Sequence, residues 1–407
     1  MEKRRKFHSL MGQVLEVRRL RSAYEKVRAK RGAPGVDGVS VEQFGESLEQ
    51  NLVKLIAELR ERTYRPLPVK RVLIPKPGGG QRPLGIPAVR DRVVQQAVLG
   101  VLEPIFEEDF SPHSHGFRPG RSCFSALREL YGQVRAGHVY IVDVDIEKFF
   151  DTIAHEPLID AVAEKVADGS VLRLIRLFLE ALIQDGYRLM RPKAGTPQGG
   201  VASPLLANIY LGQLDRVLEA EGVAFVRYAD DVRLLSRTPA GAQKALQRTE
   251  EVLSELGLRL NQNKTRRVSI DQGVDFLGYR LIAVKGHLNA YINPKVLERF
   301  RDEVRRLTRR TAGVSFVMML DRLNEYLRGW GEYFKRAQAS GVLDRLDQWI
   351  ARRVRAYRAK RWRNSYWRRY PDQYLYGQLG LVRLYVLRRN FHREFTARRR
   401  RQPLCRA

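Results

Sequence analysis

The residues with most to say about chemistry are aspartates. Asp230 and Asp231 sit side by side between two short apolar runs, Phe225-Val-Arg-Tyr228 and Val232-Arg-Leu-Leu235. Both flanks read as strands, so the pair falls at the tight turn of a β-hairpin. Two carboxylates in an apolar frame are electrostatically unfavourable unless a cation neutralises them. A water-exposed Asp-Asp turn accounts for the pair about equally well, because Asp is a favoured turn residue. Asp145 adds a third carboxylate. It lies in the β-rich run from Tyr140 to Ile146, where strand alternation puts Asp143 and Asp145 on one face. An Asp at the end of a buried strand is unusual unless paired or bound to metal. Set beside the hairpin, Asp145 would share a cation site with Asp230 and Asp231. Asp231 joins only if the turn re-aims it, since neighbours in a strand point to opposite faces.

These carboxylates need elements to position them and a substrate to act on. Arg65 to Pro87 reads as strand, glycine turn and strand, with prolines limiting both strands to edge-like pairing. Lys76 and Arg82 flank that turn. A cation on each arm suits a triphosphate, although a solvated hairpin is the commoner outcome for an isolated Lys and Arg. Gly195-Thr-Pro-Gln-Gly-Gly200 is a loop whose glycines permit close backbone approach, or a plain loop before the helix Leu205 to Leu218 with Ser203-Pro204 as its cap and first turn. Ser114 to Ser122 is a loop in which Arg118 and Arg121 contact a phosphate backbone or brace the loop itself. Asn261 to Thr265 and Asp275 to Tyr279 read as short β-rich segments.

The remaining elements are mostly helical. Apolar periodicity predicts helices near 13–29, 41–62, 91–106, 171–183 and 240–256. After about Ile292 helices dominate, at 296–310, 316–336 and 343–361. From Gln348 to Pro371 there is no acidic residue, and arginines interleave with Trp349, Tyr357, Trp362, Tyr366, Trp367 and Tyr370. Such a run is usually a solvated face, but Arg with stacked rings also suits nucleic acid.

The bulk numbers agree with an anionic partner. The chain has 407 residues, which implies two or three domains, and 44% of them are hydrophobic, enough for packed cores. A formal charge of +29 points to nucleic acid first and to an anionic membrane surface second. No apolar run is long enough to span a bilayer, and the basic N-terminus lacks the apolar core of a secretory signal. Cys123 and Cys405 are far apart, without metal-type spacing, and the histidines pair with neither, which argues against a zinc finger. A reducing, cytoplasmic setting, bacterial or organellar and in reach of a nucleoid, follows as the expectation.

In order, the motifs resemble the fingers and palm of reverse transcriptases, and in detail the group II intron-encoded branch, also called intron maturases. The resemblance rests on Gly35-Val-Asp-Gly38, Ile74-Pro-Lys76, Arg82-Pro-Leu-Gly-Ile-Pro87, Gly116-Phe-Arg-Pro-Gly120, Asp145-Ile-Glu-Lys-Phe-Phe-Asp151, Gly195-Thr-Pro-Gln-Gly199, Ser203-Pro-Leu-Leu-Ala-Asn208, Tyr228-Ala-Asp-Asp231 and Phe276-Leu-Gly278. It continues through Leu323 to Phe334, a maturase or thumb segment, and covers roughly residues 12 to 350.

The resemblance implies an α+β right-hand polymerase. Fingers and palm with a small antiparallel sheet would span 1–290, a helical thumb or maturase domain 291–350, and a basic region that would contact nucleic acid 351–407. It implies two Mg²⁺ ions held by Asp145, the backbone carbonyl of Ile146, Asp230 and Asp231, clamping an in-line phosphoryl transfer. Lys76 and Arg82 would grip the deoxynucleoside triphosphate, Gln198 would line its pocket, and Phe150 would exclude a ribose 2′-hydroxyl. Lys264 would protonate the leaving pyrophosphate, or is only a surface lysine. Phe276, Leu277 and Gly278 would position the primer end. Arg118, Arg121, Arg352, Arg353, Arg355 and Arg358 are the candidate nucleic-acid contacts. The expected partners are group II intron RNA, a DNA primer or target and deoxynucleoside triphosphates, with no membrane. The family's frequent HNH endonuclease is expected to be absent, because the tail after Leu379 offers only Cys405 and His392 as ligands. Alternatives are an RNA-binding splicing factor and a domesticated enzyme of DNA repair or phage defence.

Overall fold

The computed structural model describes residues 6–75, 79–360 and 366–401, with side chains described as far as residue 393. Lys76 and Trp362 therefore lie outside the described residues. The chain divides into two compact units, Met1–Ser269 and Ile270–Ala407. The division precedes the boundary expected near residue 290 and groups Phe276–Gly278 with the helical part of the chain.

Two sheets organise the first unit. The first begins with a hairpin of β1 (Val69–Pro75) and β2 (Gln81–Ile86), paired antiparallel from Lys70↔Ile86 to Pro75↔Gln81. β4 (Ile183–Asp185) joins β1 in parallel at Val69 and Lys70, and β5 (Arg188–Met190) completes the order β2-β1-β4-β5. The strand with Pro83 is therefore the edge, as a residue without an N–H requires. β1 is not an edge strand, because its flanking proline stands at its last position, clear of the pairing with β4.

The second sheet has the order β6-β7-β3-β8, all antiparallel, from β3 (Tyr140–Asp145), β6 (Ala224–Tyr228), β7 (Asp231–Ser236) and β8 (Arg266–Ser269). Alternation gives it two unlike faces. Val142, Val144, Phe225, Val232 and Leu234 are buried in the core together with residues of helices Ser203–Ala220 and Pro239–Glu255. Asp143, Asp145, Asp231 and Arg233 stand on the other face, since they occupy opposed register positions.

Several helices differ from the sequence expectation for local reasons. The helix expected over 171–183 is Gly169–Leu179, started by the Asp168 carboxylate, which accepts from the N–H groups of Ser170 and Val171. Ile183 belongs instead to β4. The region 41–62 holds two helices, Val41–Glu46 with a Ser40/Gln43 capping box and Leu48–Arg60, parted at Ser47. Ser203 does not cap its helix; its hydroxyl donates to the Pro197 carbonyl at 2.9 Å. Asn261–Thr265 is a turn, not a strand.

In the second unit β9 (Val274–Phe276), β10 (Tyr279–Val284) and β11 (His287–Ile292) form an antiparallel sheet in the order β11-β10-β9. Leu277 and Gly278 connect β9 to β10 with positive φ at both positions, as a tight hairpin requires. Helices Pro294–Leu307, Phe316–Phe334 and Ser340–Ala359 follow close to the expected places, and Leu384–Arg401 comes last. Among the described residues no helix is long and apolar enough to cross a membrane.

Candidate active site

The hairpin at the chemical centre has a connection of only two residues, since Tyr228 pairs with Asp231. Ala229 has φ 59°, and Asp230 is not among the residues with positive φ. A left-handed conformation at a residue with a Cβ costs on the order of 1–3 kcal/mol. That strain turns the chain so that Asp230 stands at the tip while Asp231 begins β7. In the ladder Asp231 lies directly across from Asp145. Opposed residues carry their Cβ atoms about 5 Å apart on the same face. The turn thus resolves the direction of Asp231, whose side chain shares a face with that of Asp145.

Charge accumulates around Asp230. Burial holds its carboxyl above the ordinary range, and the negative charges of Asp231 and Asp145 push the same way, against its own backbone N–H and the Arg82 guanidinium. Asp231 is partly neutralised already: Arg233 Nη1 bonds its Oδ1 and also lies 2.8 Å from Asp143 Oδ1. Lys264 Nζ lies 3.6 Å from Asp145 Oδ1, brought there by the turn whose Asn261 N–H donates to the Asp145 carbonyl at 2.8 Å. Carbonyls alternate in direction along a strand, so the Ile146 carbonyl points away from Asn261, towards the β7 side.

Among the described residues no three Asp, Glu, His or Cys side chains converge closely enough to hold a metal ion by themselves. The donors that fit a hard cation are the Asp145 and Asp230 carboxylates and the Ile146 carbonyl, with substrate and water oxygens needed to complete a shell. Burial of Asp230 amid like charge is the observation that favours a cation there. Asp231, with one oxygen on Arg233, is a weaker donor than its neighbour.

Gln198 and Phe150 meet at a second feature, a cavity of about 180 Å³ bordered by Gly85, Phe150, Asp151, Thr196 and Gln198. Arg82 Nε donates to Gln198 Oε1 at 2.8 Å, and Gln198 Nε2 reaches Asp151 Oδ1 at 3.4 Å. The loop is wedged between two backbones. The Thr196 N–H donates to the Phe150 carbonyl, and the Gly85 N–H donates to the Gln198 carbonyl at 2.6 Å. Gly199 has φ 113°, and a Cβ there would lie 2.4 Å from the Gly85 oxygen. Close approach, and not flexibility, is what the glycine supplies.

Three arginines expected at nucleic acid point inwards. Arg118 is buried; its Nε and Nη2 bind the Glu107 carboxylate and its Nη1 donates to the Ser111 and Ser114 carbonyls. It braces its loop. Arg355 is buried and donates to the Tyr370 carbonyl and Asp372. Arg353 is half-buried, bonding Thr308 Oγ1 at 2.7 Å and lying over Trp349. A guanidinium fork next to carbonyls and carboxylates satisfies itself internally, which a count of arginines cannot reveal. Arg121 is half-buried and donates from Nη1 to the Pro112 carbonyl at 3.1 Å, whereas Arg352 and Arg358 are exposed.

In the second unit Phe276 is buried, while Leu277 and Gly278 are half-buried. Tyr333 Oη donates to the Leu277 carbonyl at 2.8 Å, and Phe334 packs 3.2 Å from where a Gly278 Cβ would stand. The turn's backbone, not the Phe276 ring, is the part that reaches the surface.

Sequence reasoning missed Arg233, Asp151 and the groups behind the hairpin, Arg227 and Asp215. Arg227 and Arg233 were legible only as cations in a strand that otherwise reads as core. A charged residue in that position signals a partner without naming it.

Comparison with known proteins places these features. The model of the family "Reverse transcriptase (RNA-dependent DNA polymerase)" matches residues 74–281, just over half of the chain. The "Group II intron, maturase-specific domain" model matches residues 297–375. Protein YkfC of Escherichia coli is 36% identical over 290 residues, covering 61% of this chain and 76% of that protein. Group II intron-encoded protein LtrA of Lactococcus lactis is 40% identical over 195 residues, 48% of this chain, which spans only 32% of LtrA. A solved Cas6-RT-Cas1–Cas2 complex overlaps at 26% identity and a TM-score of 0.38, covering 61% of this chain and 41% of that one. Two matched domains in this order, together with an aspartate-bearing sheet inside the first, mean that the chain belongs to the reverse transcriptase family, in its group II intron maturase branch.

Proposed function

We propose that the chain is an RNA-directed DNA polymerase that extends a DNA primer on group II intron RNA and also binds that RNA to aid splicing and mobility. One observation carries the polymerase reading: Asp231 opposes Asp145 beside the turn holding Asp230, and Arg82, whose charge acts on Asp230, also donates to Gln198, which lines the cavity beside Phe150.

Reverse transcriptases as a family work with divalent metal ions. Here Asp145, Asp230 and the Ile146 carbonyl would hold two Mg²⁺ ions, with Asp231 alongside; when bound, the ions neutralise triphosphate charge and ease deprotonation of the primer 3′-hydroxyl. Arg82 leaves Gln198 to bind the triphosphate, with Lys76 as its counterpart on the other arm. Gln198, steadied by Asp151, then orients the nucleotide. Phe150 lies under the sugar and crowds a 2′-hydroxyl. As the bond from O3′ to the α-phosphorus forms, the bond to pyrophosphate breaks, and Lys264 gives the leaving group a proton. The Leu277–Gly278 backbone supports the primer end.

The splicing role rests on the maturase-specific match and on LtrA, itself an intron-encoded protein. The test pairs two assays on the purified chain. Asp230→Ala should abolish primer extension on an RNA template yet leave RNA affinity and splicing of the flanking RNA nearly intact. Extension by that variant at the wild-type rate would remove the metal assignment. Normal extension without any effect on splicing would confine the chain to polymerisation.

A further inference from the structure

Behind the Ala229-Asp230 turn lies a fully buried ion pair. Arg227 is 0% exposed and Asp215 is 1% exposed. Arg227 pairs across the ladder with Val232, so its side chain leaves the sheet on the face opposite Asp145 and Asp231. There Arg227 Nε donates to Asp215 Oδ1 at 2.7 Å and its Nη2 bonds the other oxygen. Its Nη1 donates to Asn208 Oδ1 at 2.9 Å and to the Ala229 carbonyl at 3.0 Å. Asn208 in turn donates from Nδ2 to the Gly116 carbonyl at 2.8 Å. Gly116 presses against the turn: a Cβ there would lie 2.3 Å from the Ala229 nitrogen. The backbone of Arg227 is fixed as well, by the His113 carbonyl and the His115 N–H.

Two facts suggest that this network does more than hold the core. A two-residue hairpin with positive φ at its first turn position prefers Gly there, yet this one has Ala229. The strained conformation must therefore be imposed by contacts. Moreover, a buried Arg–Asp pair adds little net stability over apolar residues of similar size, because desolvation offsets the attraction. Its surplus is directional. One guanidinium ties helix Ser203–Ala220, through Asp215 and Asn208, to the carbonyl immediately before Asp230.

We propose that Arg227 and Asp215 are positioning residues: together with Asn208 they lock the left-handed Ala229 turn and so aim the Asp230 carboxylate at the catalytic cation. Neither residue touches substrate. The inference rests on the polymerase reading above, in which Asp230 is a metal ligand.

The test removes the pair without leaving an unpaired buried charge. Arg227→Met with Asp215→Leu should still fold, with a melting temperature lowered only by the loss of the donor to Asn208 and the Ala229 carbonyl. Its primer extension should fall roughly 10- to 100-fold in kcat, the range seen when the supports of metal ligands are removed. The Mn²⁺ concentration for half-saturation, read by electron paramagnetic resonance without substrate, should rise by a similar factor. RNA affinity should be unchanged. Wild-type kcat and Mn²⁺ binding in a folded double variant would overturn the proposal. Should the double variant fail to fold, Arg227→Lys decides. It keeps the charge beside Asp215 but cannot hold Asp215, Asn208 and the Ala229 carbonyl at once. Weaker Mn²⁺ binding by folded Arg227→Lys supports positioning, and unaltered binding refutes it. Asp230→Ala in the same series separates the two failures. If that variant still extends primers, the polymerase reading falls. If it is inactive while the Arg227 variants behave as wild type, only the positioning inference falls.

Discussion

Asp145 and Asp231 are cross-strand partners on one face of the antiparallel sheet, but they are not equivalent. Arg233 holds Asp231 and Asp143 together, whereas Asp145 faces the exposed Lys264 ammonium at 3.6 Å. Asp145→Asn should therefore reduce single-turnover primer extension by more than the roughly 100-fold typical of lost secondary partners. Asp231→Asn should reduce it less. Equal losses in the two variants would show that Arg233 does not discriminate between them.

Phe150 packs edge-on against Phe149, with ring centroids 5.3 Å apart, and borders the cavity that Gln198 also lines. On the proposed nucleotide position, Phe150→Ala enlarges that space beneath the sugar. Incorporation of ribonucleotides relative to deoxynucleotides should rise on the order of tenfold or more, read as the ratio of the two kcat/KM values. Unchanged selectivity would take the gate away from Phe150.

The arginines of helix Ser340–Ala359 separate into two groups that binding and melting experiments can tell apart. Arg352→Gln with Arg358→Gln removes exposed charge, so the slope of log affinity against log salt should flatten by up to about 1.8, with melting little changed. Arg355→Gln leaves Asp372 and the Tyr370 carbonyl without their donor, so its main effect should be a lower melting temperature. A salt slope that responds to Arg355 and not to the exposed pair would reverse this assignment.

Stability should depend on pH through His113 and Glu129. The hydrogen bond to Glu129 raises His113 above its model-compound value of 6.5, in spite of burial. Burial opposes ionisation of Glu129, but hydrogen bonds from His113 and His115 prevail and bring it down to about 2 from 4.5. The raised histidine stabilises the fold fully below pH 6.5, and that contribution is lost as pH climbs through its folded value. The depressed glutamate stabilises above pH 4.5, and its contribution is lost as pH falls towards 2. Together they are greatest between about pH 4.5 and 6.5. His113→Gln should flatten the melting temperature across pH 6 to 8, and a wild-type profile in that variant would exclude the pair as the source.

Local chemistry made much of this protein legible in its sequence. Alternation put Asp143 and Asp145 on one face, and apolar flanks placed Asp230 in a hairpin. The ordered motifs pointed to the family that the two domain matches establish. These features depend on residues near one another in the chain, where propensity and periodicity act. The tertiary structure decided the rest. Register made Asp231 the partner of Asp145, and the strained Ala229 turn settled which way each carboxylate points. Folding also turned Arg118 and Arg355 inwards and left Arg352 and Arg358 outside. An arginine carries the same charge in either place. Whether that charge meets a carboxylate of its own chain or remains available to a phosphate depends on contacts between segments distant in sequence, such as Arg227 with Asp215 and Asn208.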